Sequence, residues 1–211
     1  MNVSPRTLAQ HNYVKTLKCS SKSIVIATGP AGTGKTLLAC HIAIEKLHSK
    51  DVKKVILTRP IVSVDEELGF LPGDIKHKME PWTRPVMDIL HNYYNHSKVA
   101  QLMKDNVVEI APLAYMRGRT FDDAYIIADE MQNSTIGQMK MLLTRLGESS
   151  NIVVTGDVQQ CDLENDIPSG LTDIIDKIDS VELEYIKHIL LTNDDVQRSP
   201  AVKEVLTLYD L

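Results

Sequence analysis

Eight consecutive residues, Gly29-Pro30-Ala31-Gly32-Thr33-Gly34-Lys35-Thr36, spell G-x-x-x-x-G-K-T. Glycines let a backbone close around phosphate oxygens, so that several N–H groups and a helix N-terminus face the negative charge. Lys35 supplies a cation for the β- and γ-phosphates, and the Thr36 hydroxyl is a ligand for Mg²⁺. An apolar run ends at Thr28 and a helix-like stretch runs from Leu37 to Leu47, the strand–loop–helix order that such a loop requires. The pattern predicts a nucleoside triphosphate site, taking ATP with Mg²⁺.

Two further segments suit the same chemistry. Ala124-Tyr125-Ile126-Ile127-Ala128 leads into Asp129-Glu130, an apolar strand ending in two acids. Asp129 is expected in the Mg²⁺ shell, and Glu130 is placed to orient or deprotonate the attacking water. Thr155-Gly156-Asp157-Val158-Gln159-Gln160 follows the next apolar run, and Gln160 can set an amide beside the γ-phosphate.

These groups need a scaffold that brings the ends of separate strands together. Short apolar or β-branched runs recur at Ile24–Ala27, Val55–Thr58, Val107–Ile110, Tyr125–Ala128 and Ile152–Thr155, with a last one near Leu183–Leu190. Helices are expected at Pro5–Leu17, Lys35–His48, Pro81–Asn95, Ile136–Leu146, Gly170–Ile178 and Pro200–Leu208. This alternation predicts an α/β fold, a mostly parallel sheet with helices on both faces, whose strand C-termini open on a shared crevice. The long segment Arg59–Lys78, with Pro60, Gly69, Pro72 and Gly73, exceeds a plain connection and is expected to be functional.

The 211 residues suit one domain spanning 1–211, and 43% hydrophobic with 24% charged residues excludes a disordered chain. Cys19, Cys40 and Cys161 show no C-x-x-C spacing, which points to reduced thiols and a cytoplasmic location. No apolar stretch of about 18 residues and no apolar signal core occur, so no membrane partner is expected. The seven histidines lack H-E-x-x-H or comparable spacing, which argues against a zinc site. A net charge of −5 argues against indiscriminate coating of nucleic acid, while leaving room for a local basic groove.

Beyond the phosphate loop, the chain resembles the PhoH-like ATPases in several runs. These are Thr58-Arg59-Pro60, Leu68-Gly69-Phe70-Leu71-Pro72-Gly73-Asp74, Pro112-Leu113-Ala114-Tyr115-Met116-Arg117-Gly118-Arg119-Thr120-Phe121, Asp129-Glu130-Met131-Gln132-Asn133, Gln138-Met139-Lys140-Met141, Leu143-Thr144-Arg145-Leu146-Gly147 and Val154-Thr155-Gly156-Asp157. The resemblance covers roughly Gln10 to the C-terminus. It departs at Ala128 and Met131, which keep apolar character beside the acids, and at Val196-Gln197-Arg198-Ser199-Pro200, which stands for a Val-Arg-His-Pro-like element. It implies a RecA-like P-loop NTPase core akin to the first domain of superfamily-one helicases, present as a bare motor module, and an ATPase acting on single-stranded nucleic acid, RNA ahead of DNA.

In related helicases a glutamine ahead of the first strand grips the adenine edge, and Gln10 matches that position; a solvated helix glutamine is the other reading. Arg59, Arg84, Arg117, Arg119 and Lys140 are candidates for backbone phosphates of a nucleic-acid strand, with surface solvation as the alternative. Trp82 and Phe70 read as core aromatics, with base stacking as the alternative. Related helicases also cover the γ-phosphate with arginines from a second domain, so the resemblance implies a cation from an identical neighbour in a ring, a hexamer. Arg145, Arg198 and Arg119 are the candidates, in that order. The leading function is ATP hydrolysis coupled to binding or remodelling of RNA or single-stranded DNA. An ATP-gated binding switch and a small-molecule kinase are the alternatives, and Glu130 with Gln160 favours hydrolysis because both address water and the γ-phosphate.

Overall fold

The structure, a computed structural model, describes residues 3–19, 21, 23–61, 84, 86–164, 166–197, 201, 202 and 208. The expectations for Leu68–Asp74, for Phe70 and Trp82, for Arg198 and for most of the helix Pro200–Leu208 therefore lie outside the described residues.

Successive side chains of a strand point to opposite faces, and here both faces are covered. The strands are β1 (Ile24–Thr28), β2 (Lys54–Arg59), β3 (Val108–Pro112), β4 (Ala124–Ala128), β5 (Asn151–Gly156) and β6 (Ile186–Leu190). They form one sheet in the order β3-β2-β4-β5-β1-β6, and every pairing is parallel. Val25, Ala27, Val55, Leu57, Tyr125, Ile127 and Val153 bury on one face with α1 (Leu8–Lys18), α2 (Lys35–Ser49), α3 (residues 86–93) and α4 (His96–Lys104). Their sequence neighbours Ile24, Ile26, Ile56, Ile126, Ile152 and Val154 bury on the other with α5 (Ile136–Leu143) and α6 (Gly170–Ile178). The expected α/β class, with helices on both faces, holds.

Boundaries moved for local reasons. Helix α1 starts at Leu8 rather than Pro5 because the Thr7 side chain caps it, accepting from the Gln10 N–H at 3.2 Å. Helix α5 stops at Leu143, short of Leu146, where the Thr144 hydroxyl donates to the carbonyls of Lys140 and Met141 and Leu146 bridges to Phe121. Helix α4 was not expected. Its signal is present, since Asn95 caps the Lys98 N–H at 2.9 Å and Val99 and Leu102 form the buried stripe. Among the described residues no helix is long and apolar enough to cross a membrane.

Register sets what meets at the sheet's C-terminal edge. Ala128 pairs with Val154 and Thr58, and Thr28 pairs with Gly156. Asp129 is thus level with Thr155, one residue before the turn from β1 into the glycine loop.

The Tyr125 phenol is fully buried, and its hydroxyl has no hydrogen-bond partner among the described residues. A buried unsatisfied hydroxyl costs about 1–3 kcal/mol, so Tyr125→Phe should stabilise the fold by about 1 kcal/mol. Thermal unfolding should shift upward by about 2–4 °C, and a downward shift would show that the hydroxyl has a partner.

Candidate nucleotide site

The glycine loop leaves β1 at Gly29 and enters α2 at Lys35. Gly29 has φ +141°, and a Cβ there would lie 2.1 Å from the Leu191 carbonyl oxygen, so only glycine lets the C-terminal segment pass against the loop. Lys35 turns back over the loop and donates to the carbonyls of Gly29 and Pro30, the latter at 2.8 Å. Burial pushes its ammonium below the usual lysine value, while Asp157, Glu130 and Asp129 pull in the opposite direction. Added phosphate charge acts in the same sense as these carboxylates, so anion binding and the charged form of Lys35 reinforce one another.

Asp129 joins three elements. Its Oδ1 accepts the Thr36 hydroxyl from α2 at 2.7 Å and the Thr155 hydroxyl from β5, while its N–H donates to the Thr58 carbonyl of β2 at 2.9 Å. A carboxylate and a threonine hydroxyl side by side are hard oxygen donors of the kind that hold Mg²⁺ with a substrate phosphate, so the residues fit that ion. When bound, the ion neutralises charge on the phosphate oxygens.

Glu130 follows in a left-handed conformation, φ 53°, which side chains other than glycine adopt rarely. Its carboxylate accepts from the Gln132 amide nitrogen at 2.6 Å. Gln132 is 1% exposed and fully engaged: the same nitrogen donates to the Gln160 carbonyl at 3.2 Å, and its amide oxygen accepts the Asp157 N–H at 3.1 Å. Beside it, Asn133 and Asp162 exchange two bonds at 2.8 and 2.9 Å. Gln160 lines the cleft, and its backbone carbonyl anchors Gln132. Sequence reasoning gave Gln132 no role; an amide two residues after the acids, at the turn out of the strand, is the signal that would have found it.

The cleft measures about 650 Å³ and is bordered by the loop, Asp129, Glu130, Asp157 and Gln160 at one end, and by Val3, Arg6, Gln10 and Gln197 at the other. Gln10 is 3% exposed, which corrects the reading of a solvated helix glutamine. Its amide donates to the carbonyls of Thr33 at 2.9 Å and Asp195 at 3.3 Å, while its oxygen accepts the Arg6 N–H at 2.7 Å. With both donors engaged, the free capacity of Gln10 is an acceptor lone pair, which suits a base carrying an exocyclic amino group.

Two arginines sit elsewhere. Arg119 makes a bidentate pair with Glu109 of β3 at 2.6 and 2.7 Å and lies 4.5 Å over the Phe121 ring. This bond is the leading cause that holds the Glu109 carboxyl below its ordinary range. Arg119 is thus engaged within its own chain, contrary to the expectation that it is free for a strand or a neighbour's phosphate. Arg145 donates to the carbonyls of Met141 and Arg119 and to the Thr144 hydroxyl, each at 3.2 Å, so its guanidinium also braces its own loop. Neither lines the cleft.

A family model described as PhoH-like protein matches residues 2–210. The chain belongs to the PhoH-like family. It is 46% identical over 212 residues to a PhoH-like protein of Bacillus subtilis, covering 99% of this chain and 64% of that protein. It is 44% identical over 206 residues to Protein PhoH of Escherichia coli, covering 97% of this chain and 57% of that one. The PhoH-like chain thus spans about three-fifths of the length of these curated relatives. Its fold is shared with solved structures of low sequence identity. The large terminase of a thermophilic bacteriophage matches with a TM-score of 0.61 at 13% identity, over 97% of this chain and 50% of that one. The Pif1 helicase of Candida albicans matches with a TM-score of 0.51 at 16% identity, over 99% and 44%.

Lys35→Ala should weaken ATP binding by about 2–5 kcal/mol, the cost of removing one partner from a desolvated charge pair. Equilibrium titration with a fluorescent ATP analogue measures this, and an unchanged Kd would place the phosphates away from Lys35.

Proposed function

We propose that this domain, residues 1–211, hydrolyses ATP and couples turnover to single-stranded nucleic acid, RNA ahead of DNA. The observation that carries the hydrolytic reading is the Glu130 carboxylate, set next to the Asp129–Thr36 pair and held by a buried amide. A carboxylate fixed there is a general base for water, whereas a kinase would need a place for an acceptor molecule in its stead. Lys35 and the loop N–H groups hold the phosphates, Thr36 and Asp129 hold Mg²⁺, Gln10 faces the base, and Gln160 borders the reacting end. Support for nucleic acid comes from the fold shared with a helicase and a terminase.

Among the described residues the cleft is lined by two cations, Lys35 at the phosphate end and Arg6 near Gln10. A further cation on the γ-phosphate would come from Arg198 or from an identical neighbour in a head-to-tail ring, a hexamer. Such an arginine supplied in trans is worth about 10³–10⁵ in rate. The bonds of Arg145 and Arg119 within the chain put Arg198 first.

Turnover should rise several-fold or more when single-stranded RNA or DNA is added, and a rate indifferent to both would favour an ATP-gated switch. Glu130→Gln should keep ATP binding and lose about 10²–10⁴ in rate. Gln132→Ala should lower kcat by about 10–100-fold with little change in KM, as expected for loss of a supporting group. Wild-type turnover by the Glu130 variant would remove it from the reaction. For the ring, mixing inactive Glu130→Gln with inactive Arg198→Ala subunits should restore part of the activity; no rescue after verified subunit exchange would rule out a trans role for Arg198.

A further inference from the structure

Strand β3 lies at one edge of the sheet, and its last residue, Pro112, pairs with Arg59 of β2, level with Asp129, the residue that follows β4. Neighbouring strands are about 4.8 Å apart, so the chain leaves β3 roughly 10 Å from the end of β4 and on the same edge as the cleft. It leaves through a short 3-10 turn, Leu113–Met116. Leu113 and Met116 are buried and fix the turn to the face carrying α5, whereas Tyr115 points outward with 54% of its surface exposed. Arg117 follows, also exposed, and among the described residues its guanidinium has no partner. Gly118 has φ +77°, and a Cβ there would meet nothing within 4 Å, so the surface beyond the pair is open.

Arg119 behaves in the opposite way. Its bidentate pair with Glu109 and its stacking on Phe121 fasten the far end of the segment to β3. The segment is therefore held at both ends, by Leu113 and Met116 on one side and Arg119 on the other, with an aromatic ring and a cation displayed between them. A rigid exposed ring accepts any nucleobase face, and an unpaired guanidinium two residues on suits a backbone phosphate.

We infer that Tyr115 and Arg117 form a contact for single-stranded nucleic acid, Tyr115 by stacking on a base and Arg117 by pairing with a phosphate, with Arg119 as the residue that positions them. The inference rests on the coupling to nucleic acid proposed above and adds the site on this chain. Stacking and a backbone phosphate are common to RNA and DNA, so the contribution proposed for the pair is alike for both and tolerant of sequence.

Binding of fluorescein-labelled oligouridine and oligothymidine of equal length, followed by anisotropy with a non-hydrolysable ATP analogue over a series of salt concentrations, tests it. Tyr115→Ala should weaken both complexes by about tenfold or more without changing the salt slope, and Tyr115→Phe should retain wild-type affinity. Arg117→Ala should reduce the salt slope by about 0.7, the share of one phosphate contact to a single strand. Both side chains are exposed, and coincident thermal unfolding of the variants and the wild type excludes a folding defect. Wild-type binding that Tyr115→Ala and Arg117→Ala leave intact overturns this site while the coupling survives. A wild-type protein that binds neither oligonucleotide overturns both.

Discussion

Asp129 accepts two hydroxyls on a single carboxylate oxygen, from Thr36 at the start of α2 and from Thr155 near the end of β5. No one element carries the nucleotide site. The loop belongs to β1 and α2, the acids to β4, and Asp157 and Gln160 to the turn after β5. The sheet order inserts β5 between β1 and β4, so the Thr155 hydroxyl reaches the acid from the intervening strand. Displacing Asp129 would thus loosen the junction of three strands.

Gln132 plays the corresponding part for Glu130. An isolated carboxylate in a left-handed residue would have freedom to rotate; a buried amide whose nitrogen bonds it at 2.6 Å and also the Gln160 carbonyl, and whose oxygen accepts the Asp157 N–H, removes that freedom. The Gln160 loop and the Glu130 turn are consequently one hydrogen-bonded unit. A shift of the loop is communicated to the Glu130 carboxylate through a single side chain, and the strain of φ 53° at Glu130 is sustained by this unit rather than by local propensity.

Much of this was legible in the sequence because the informative patterns are local. The glycine loop, the acids after β4 and the runs that became β1 to β5 each announce themselves within a few residues, and the alternation of apolar positions sorts onto two covered faces. What was not legible depends on distant partners. For Gln10 the sequence leaves two readings, a grip on the adenine edge and a solvated helix glutamine, and only the fold, by placing Thr33 and Asp195 against it, 23 and 185 residues away, removes the second. Arg119 reads as a free surface cation until Glu109, on the neighbouring strand segment, takes both of its amine ends. Helix α4 was missed for a different reason: its apolar stripe, Val99 and Leu102, is short and begins directly after the helix expected to end at Asn95.

The separation between the acids and the Tyr115 turn limits how the two can communicate. One strand, β2, stands between β3 and β4, and its Thr58 carbonyl takes the Asp129 N–H at 2.9 Å. A close-packed sheet does not deform gradually, so a load on the β3 turn cannot reach the acids by stretching the ladder. It must move a segment as a body, and β2 meets both sites directly, with Arg59 paired to Pro112 and Thr58 bonded to Asp129. The shortest physical path between the Tyr115 turn and the Asp129–Glu130 acids therefore runs through the C-terminal end of β2. Coupling between the two sites would be expressed there first, in the Thr58–Asp129 hydrogen bond.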